Sequence, residues 1–192
     1  MRPVLIVISG SVGAGKTTLA YKIQKYWQSQ YDQPCEIIED DTERRHYLGF
    51  SLQQHMHSPH YTKKMDDIMF GIMKRKTKEQ LAKEHCVIRT IVVASEEHYQ
   101  LNSDCANEFD ADFIGFYLKA SEQNIRARIQ TRAIERESLD ELSIELGHAS
   151  NADERLLDKF PIPENVLEHW IIINADQGQD KVLEEITKHL SS

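Results

Sequence analysis

The sequence predicts an α/β fold in three layers, a parallel sheet covered by helices on both faces. Two observations carry this. Short apolar runs alternate with longer segments of helical spacing along all 192 residues. The first apolar run, Val4-Leu5-Ile6-Val7-Ile8, is continuous and mostly β-branched, the pattern of a strand buried on both faces.

The remaining elements follow in order. Lys16–Gln30 reads as a helix with Leu19, Ile23, Tyr26 and Trp27 toward the sheet. Pro34 closes that connection, and Cys35–Glu39 reads as a second strand. Asp40-Asp41-Thr42 can cap the helix after it. Residues 51–60 hold Ser, His and Pro and predict a loop. Tyr61–Glu84 reads as a long helix with Met65, Ile68, Met69, Ile72 and Met73 as its stripe. Cys86–Ala94 is the third expected strand, interrupted by Arg89 and Thr90, and Glu96–Phe109 a helix. Phe113–Leu118 is a fourth strand. Ser121 caps a helix reaching about Arg136, and Leu139–Leu157 suggests short helices. Trp170–Ile173 is a fifth strand. Asp180–Leu190 closes the chain as a helix with Val182, Leu183, Ile186 and Leu190 inward. No repeat or linker divides the chain, so one domain over 1–192 is expected, with a lid at about 121–160.

Composition narrows the function. With 40% hydrophobic and 28% charged residues, the chain has the makeup of a soluble globular protein. A net charge of −8 argues against nucleic acid as a partner. No apolar run is long enough for a membrane span, and Val4–Ile8 is too short for a signal-peptide core. Cys35, Cys86 and Cys105 form no C-x-x-C pair, so neither a disulfide framework nor a zinc site is expected. Cys35 and Cys86 each open an apolar run and suggest buried strand thiols, and a reducing cytoplasm fits.

Gly10-Ser11-Val12-Gly13-Ala14-Gly15-Lys16-Thr17 matches G-x-x-x-x-G-K-[ST] at every fixed position, between an expected strand and an expected helix. Glycines let backbone N–H groups close around phosphate, and the helix start adds its dipole. Lys16 is expected to reach the β- and γ-phosphates and Thr17 to ligate magnesium, with Thr18 beside them. ATP and magnesium are thus the expected ligands.

Glu39-Asp40-Asp41 stands at the carboxyl end of the second strand, the ligand edge of an open α/β sheet. Asp41 is a candidate base or acceptor ligand, and Asp40 a candidate for ordering magnesium. Arg44 and Arg45 follow within a turn and could hold an anionic group, although Asp41 and Arg45 also have the spacing of a helical ion pair. Arg128, Arg132 and Arg136 share a helix face, and Arg128 and Arg132 have no acid within that stripe. Phosphate or transition-state charge would supply a counterpart. Arg126 instead follows Glu122 by four residues, as in a surface pair. His46, His55, His57 and His60 cluster without a zinc spacing and read as solvated or acceptor-lining.

Together these features resemble the adenylate-kinase-like P-loop kinases, the group holding nucleotide, shikimate and gluconate kinases and P-loop kinases of unassigned substrate. Asp41-Thr42-Glu43-Arg44 matches that group's acceptor-contacting D-x-x-R pattern. Arg128-Ile129-Gln130-Thr131-Arg132 matches its R-x-x-x-R lid pair, and Asn151-Ala152-Asp153 its Ser/Ala/Asp patch. The resemblance implies strand order 2-3-1-4-5 and an ATP-dependent kinase acting on an anionic or hydroxyl-bearing small molecule. Lys16, Asp41, Arg128 and Arg132 would be catalytic, and Asp41, Arg44 and Arg45 would contact the acceptor. Arg89 could reach the acceptor too, or could equally be a strand arginine paired to a neighbouring acid. One departure stands out. Many relatives end the third strand in Asp, whereas Thr90 and Ser95 stand near that place here, with Glu96 beside them. A nucleotide-binding ATPase or regulator that phosphorylates no acceptor is the alternative. No Asn precedes Lys, as the guanine-reading N-K-x-D motif needs, and no L-S-G-G-Q stretch of a transport ATPase occurs.

Overall fold

The computed structural model describes residues 2–51, 56, 60–92, 95–136 (backbone only from 132), 157 and 168–190. Five parallel strands form one sheet in the order β2-β3-β1-β4-β5. They are β1 (Val4–Gly10), β2 (Cys35–Glu39), β3 (Cys86–Thr90), β4 (Asp112–Lys119) and β5 (Ile171–Asn174). The helices between them are α1 (Lys16–Gln30), α2 (Asp40–Leu48), α3 (Lys63–Leu81), α4 (Glu96–Asn107), α5 (Glu122–Arg136) and α6 (Gln179–Leu190). The expected fold class and strand order are both present.

Strand β1 shows why the sheet is central. Val4, Ile6 and Ile8 face one apolar cluster with Leu19, Ile23 and Trp27 of α1, Ile125 and Ile129 of α5, and Val182 and Ile186 of α6. Leu5 and Val7 face the other, with Met73 and Leu81 of α3 and Cys105 and Ala106 of α4. All five aliphatics are buried, and each contributes about 1.5–3 kcal/mol of burial free energy. The loop leaving β1 therefore starts from a fixed point.

Several boundaries differ from expectation. The buried line of α3 is Met69, Met73, Thr77 and Leu81, so Met65, Ile68 and Ile72 sit only partly buried. Helix α3 begins at Lys63 because the Thr62 hydroxyl accepts from the Met65 N–H. Strand β3 stops at Thr90 rather than running to Ala94. Trp170 precedes β5 and packs edge-on against Tyr99, with ring centroids 5.4 Å apart. Glu39 occupies the cap position of α2, and Asp40 is the first helical residue. Ser121 does accept from the Asn124 N–H at the start of α5. Cys35 and Cys86 lie opposite each other in β2 and β3, both buried as free thiols, and Cys105 is buried too. No described helix is long and apolar enough to cross a membrane. Of the expected short helices over 139–157 only Leu157 is described, and the Asn151-Ala152-Asp153 patch, His55 and His57 lie outside the described residues.

Candidate functional site

All strands are parallel, so their carboxyl ends share one edge of the sheet. There β1 leads into the glycine loop, β2 delivers Glu39, Asp40 and Asp41, and β3 delivers Arg89 and Thr90. Register places Glu39 opposite Thr90, and Thr90 opposite Ile8. The loop and both strand ends line one cavity of about 680 Å³.

The loop is built as its spacing requires. Ala14 N–H donates to the Ser11 carbonyl at 3.1 Å, and Gly15 caps α1 in a left-handed conformation with φ 98°. Gly10 has φ 146°, and a Cβ there would stand 2.8 Å from the Leu118 carbonyl oxygen. A side chain at Gly10 would thus collide with a neighbouring strand's backbone. Lys16 Nζ donates to the Gly10 and Ser11 carbonyls at 2.8 and 2.9 Å, so the ammonium sits at the loop's mouth.

The acidic triplet divides its work. The Thr17 hydroxyl donates to Glu39, and Thr42 Oγ1 donates to the other Glu39 oxygen at 3.2 Å. Burial pushes the Glu39 carboxyl up, and the neighbouring Asp41 adds to this against the two hydroxyls and Lys16. Asp40 accepts from Arg44 Nη2 at 2.8 Å and from its Nε at 3.3 Å. Burial raises the Asp40 carboxyl against that pull. Asp41 accepts from the Tyr61 hydroxyl at 3.0 Å, and burial, followed by the Asp41 charge, holds that phenol protonated far above its usual range.

These contacts revise the assignments around β2. Asp40 is engaged by Arg44, whereas Glu39 is the carboxylate beside Thr17, so the candidate metal acid moves from Asp40 to Glu39. The helical ion pair is Asp40–Arg44 rather than Asp41–Arg45. Arg44 is 3% exposed, also reaches Asp66 at 3.1 Å and the His60 carbonyl at 3.2 Å, and stacks on Tyr61. Four of its five N–H donors are thereby used, which leaves it a poor clamp for an acceptor anion. Arg45 is buried, donates to the Ser51 carbonyl at 3.1 Å and stands outside the cavity wall, as does Thr18.

Arg128 differs too. Its guanidinium donates to the Ala14 carbonyl at 3.2 Å and the Ala175 carbonyl at 2.6 Å. It ties the phosphate loop to the turn after β5, where its charge also acts on Asp176. The Arg132 side chain lies outside them, and Arg126 makes the expected surface pair with Glu122 at 2.7 Å.

Magnesium takes hard oxygen donors, often one or two from protein. A hydroxyl and a carboxylate in hydrogen-bond contact, Thr17 and Glu39, fit that donor set. Among the described residues no group of three or more His, Cys, Asp or Glu side chains is placed to hold a metal.

Against known proteins, the profile describing the AAA domain matches residues 5–160. The chain belongs to the AAA domain family. Solved structures similar to this AAA-domain chain include the APS kinase of Mycobacterium tuberculosis in complex with AMPPNP and APS. That structure superposes with TM-score 0.66 at 14% identity, covering 100% of this chain and 99% of the other. A putative kinase from Chloroflexus aurantiacus gives TM-score 0.62 at 16% identity, covering 99% and 97%. A gluconokinase from Sinorhizobium meliloti gives 0.58 at 16%, covering 99% and 93%. No curated protein matches the sequence. The AAA-domain chain therefore has the P-loop small-molecule kinase fold, as the resemblance implied.

Sequence reading missed several residues that line this chain's cavity. Tyr61 and Asp66 come from the loop and helix opposite α2, and His98, Leu101 and Asn102 from α4. Ser95 Oγ lies 2.5 Å from His98 Nδ1, and burial lowers the His98 pKa. No sequence motif marks these positions. Only the strand order brings together α3, packed on β2 and β3, and α4, packed on β1 and β4, beside the site.

Proposed function

We propose that the protein is an ATP-dependent kinase that transfers the γ-phosphoryl group to a hydroxyl-bearing small molecule held in the 680 Å³ cavity. One observation carries this reading. Lys16 and Thr17 of the phosphate loop open onto the same space as the carboxylates Glu39 and Asp41. A loop that only bound nucleotide would have no use for a carboxylate paired to a phenol across a cavity of substrate size.

In this reading the loop N–H groups and Lys16 hold the triphosphate. Thr17 and Glu39 would hold magnesium, which would neutralise phosphate charge when bound. The acceptor hydroxyl oxygen bonds to the γ-phosphorus as the bond to the β–γ bridging oxygen breaks and ADP departs. Asp41 takes the hydroxyl proton, and Tyr61 orients Asp41 through its 3.0 Å hydrogen bond. The acid at the sheet edge comes from β2, so Thr90 at the end of β3 need not supply one. Arg128 acts by fixing the loop rather than by touching phosphate, and a direct role for Arg132 rests on the R-x-x-x-R match alone. A reducing cytoplasm supplies ATP and suits three free thiols.

The test is ADP formation measured with and without acceptors drawn from nucleotides, sugars, sugar acids and aminoglycoside-like compounds. The kinase reading expects ADP to appear only with an acceptor. A regulator or simple ATPase would release it at one rate throughout.

A further inference from the structure

Once the cavity is taken as the acceptor site, its charges can be paired off. Arg44 is committed to Asp40 and Asp66, and Lys16 belongs to the phosphate loop. Lys63 lies on the exposed rim. Arg89 is left. It lines the cavity at 3% exposure, from the last turn of strand before Thr90. Among the described residues it makes one hydrogen bond, from Nη1 to Asn102 Oδ1 at 2.7 Å. No carboxylate lies within ion-pair distance of it among the described residues, and its Nε–H is buried without a partner. Burial pushes its pKa down to about 10, with Cys105 and Asp40 only partly opposing this.

A buried guanidinium without a counter-ion is costly, because desolvation is not repaid. Such a cost persists where the missing charge arrives with a ligand. Asn102 is suited to hold the fork ready. Its amide N–H donates to the His98 carbonyl at 2.6 Å, which fixes its oxygen toward Arg89 while adding no charge of its own. An Asp in that place would neutralise the arginine permanently.

We propose that the acceptor carries an oxyanionic group, a carboxylate or a phosphate, received by Arg89, with Asn102 as the residue that positions the guanidinium. The inference rests on the cavity being the acceptor site. It assigns the anion to Arg89 rather than to Arg44 or Arg45. The remaining wall, with Phe70, Met73 and Leu101, would cover the acceptor's apolar face.

The test loads the full chain with AMPPNP and magnesium, so that the phosphate loop is filled. Inorganic sulfate, gluconate and glycerol 3-phosphate are then titrated, with glucose and glycerol as neutral partners. The Arg89 Nε–H resonance should move saturably with at least one anion and with neither neutral compound. Arg89→Met and Arg89→Lys should each weaken that anion roughly 10- to 100-fold. Asn102→Asp should do the same although it keeps the side chain's size, because its carboxylate would occupy the guanidinium. AMPPNP binding checks that each variant is folded. No movement with any anion, equal response to the neutral partner, or full affinity in Asn102→Asp would overturn the assignment. Turnover separates the two readings. Faster ADP formation with the neutral member of a pair sinks the Arg89 assignment and leaves the kinase standing. Saturable anion binding without turnover supports Arg89 and counts against the kinase.

Discussion

The Thr17 hydroxyl donates its hydrogen bond to the Glu39 carboxylate, joining the first turn of α1 to the end of β2. Phosphate loop and acidic strand end are thus one unit, and magnesium's protein donors are these two side chains in our account. Glu39→Gln should lower activity roughly 10- to 100-fold, with much of the loss recovered at high magnesium. An unchanged magnesium dependence of ADP formation would remove Glu39 from the metal site.

The same variant has a stability signature. The folded-state pKa of Glu39 is raised, chiefly by burial, so its ionised form is disfavoured in the fold. The penalty is absent below the unfolded carboxylate pKa, about 4.3, and fully present once pH has risen through the folded value. Glu39→Gln should therefore melt higher than the wild type at pH 7, and the gap should narrow as pH falls through the carboxylate range. Melting curves from pH 4 to 8, roughly the carboxylate and histidine range, check this.

Lys16→Ala should cut kcat by at least roughly 100-fold while leaving the circular dichroism spectrum unchanged, because a positioned charge is lost and no core contact is. Survival of activity would remove the phosphate loop from the reaction.

Gly10→Ala should destabilise the protein by about 1–3 kcal/mol, since φ 146° suits glycine and the new Cβ meets the Leu118 carbonyl. Denaturant melts measure this, and a neutral result would mean that β4 yields at that point.

Much of this was legible in the sequence, for physical reasons. An unbroken aliphatic run can satisfy only a strand covered on both faces, so β1 and its glycine loop were fixed locally. The Glu39–Asp41 triplet was legible as lining the sheet's carboxyl edge because it ends a strand. The partition among its members was not. Glu39 meets Thr17 across 22 residues of chain, and Arg44 is drawn to Asp66 from another helix. Arg128 illustrates the same limit. Its stripe lacks acids, which suggested a phosphate partner, but backbone carbonyls of Ala14 and Ala175 serve equally well and carry no sequence signal.

That finding yields a contrast. Arg128→Ala should raise the KM for ATP roughly tenfold or more with a smaller effect on kcat, because a charged donor to the loop backbone is lost. Arg132→Ala, if the lid-pair match holds, should lower kcat more than it raises KM. The reverse pattern in steady-state kinetics would exchange the two roles.

Asp41→Asn should lower kcat by roughly 10²- to 10⁴-fold with little change in ATP binding, as expected for loss of a general base. Tyr61→Phe, which removes only the hydroxyl that orients Asp41, should cost less. Equal losses would point to a structural pair instead.

The central claim is that the phosphate loop and Asp41 serve a single transfer reaction. Transfer of γ-labelled phosphate from ATP to an acceptor, measured side by side in wild type and Asp41→Asn, tests it most directly. The account predicts a labelled, acceptor-dependent product that is nearly lost in the variant while AMPPNP binding persists. Tight ATP binding with no labelled product across the acceptor panel, or equal labelling by both proteins, would contradict it.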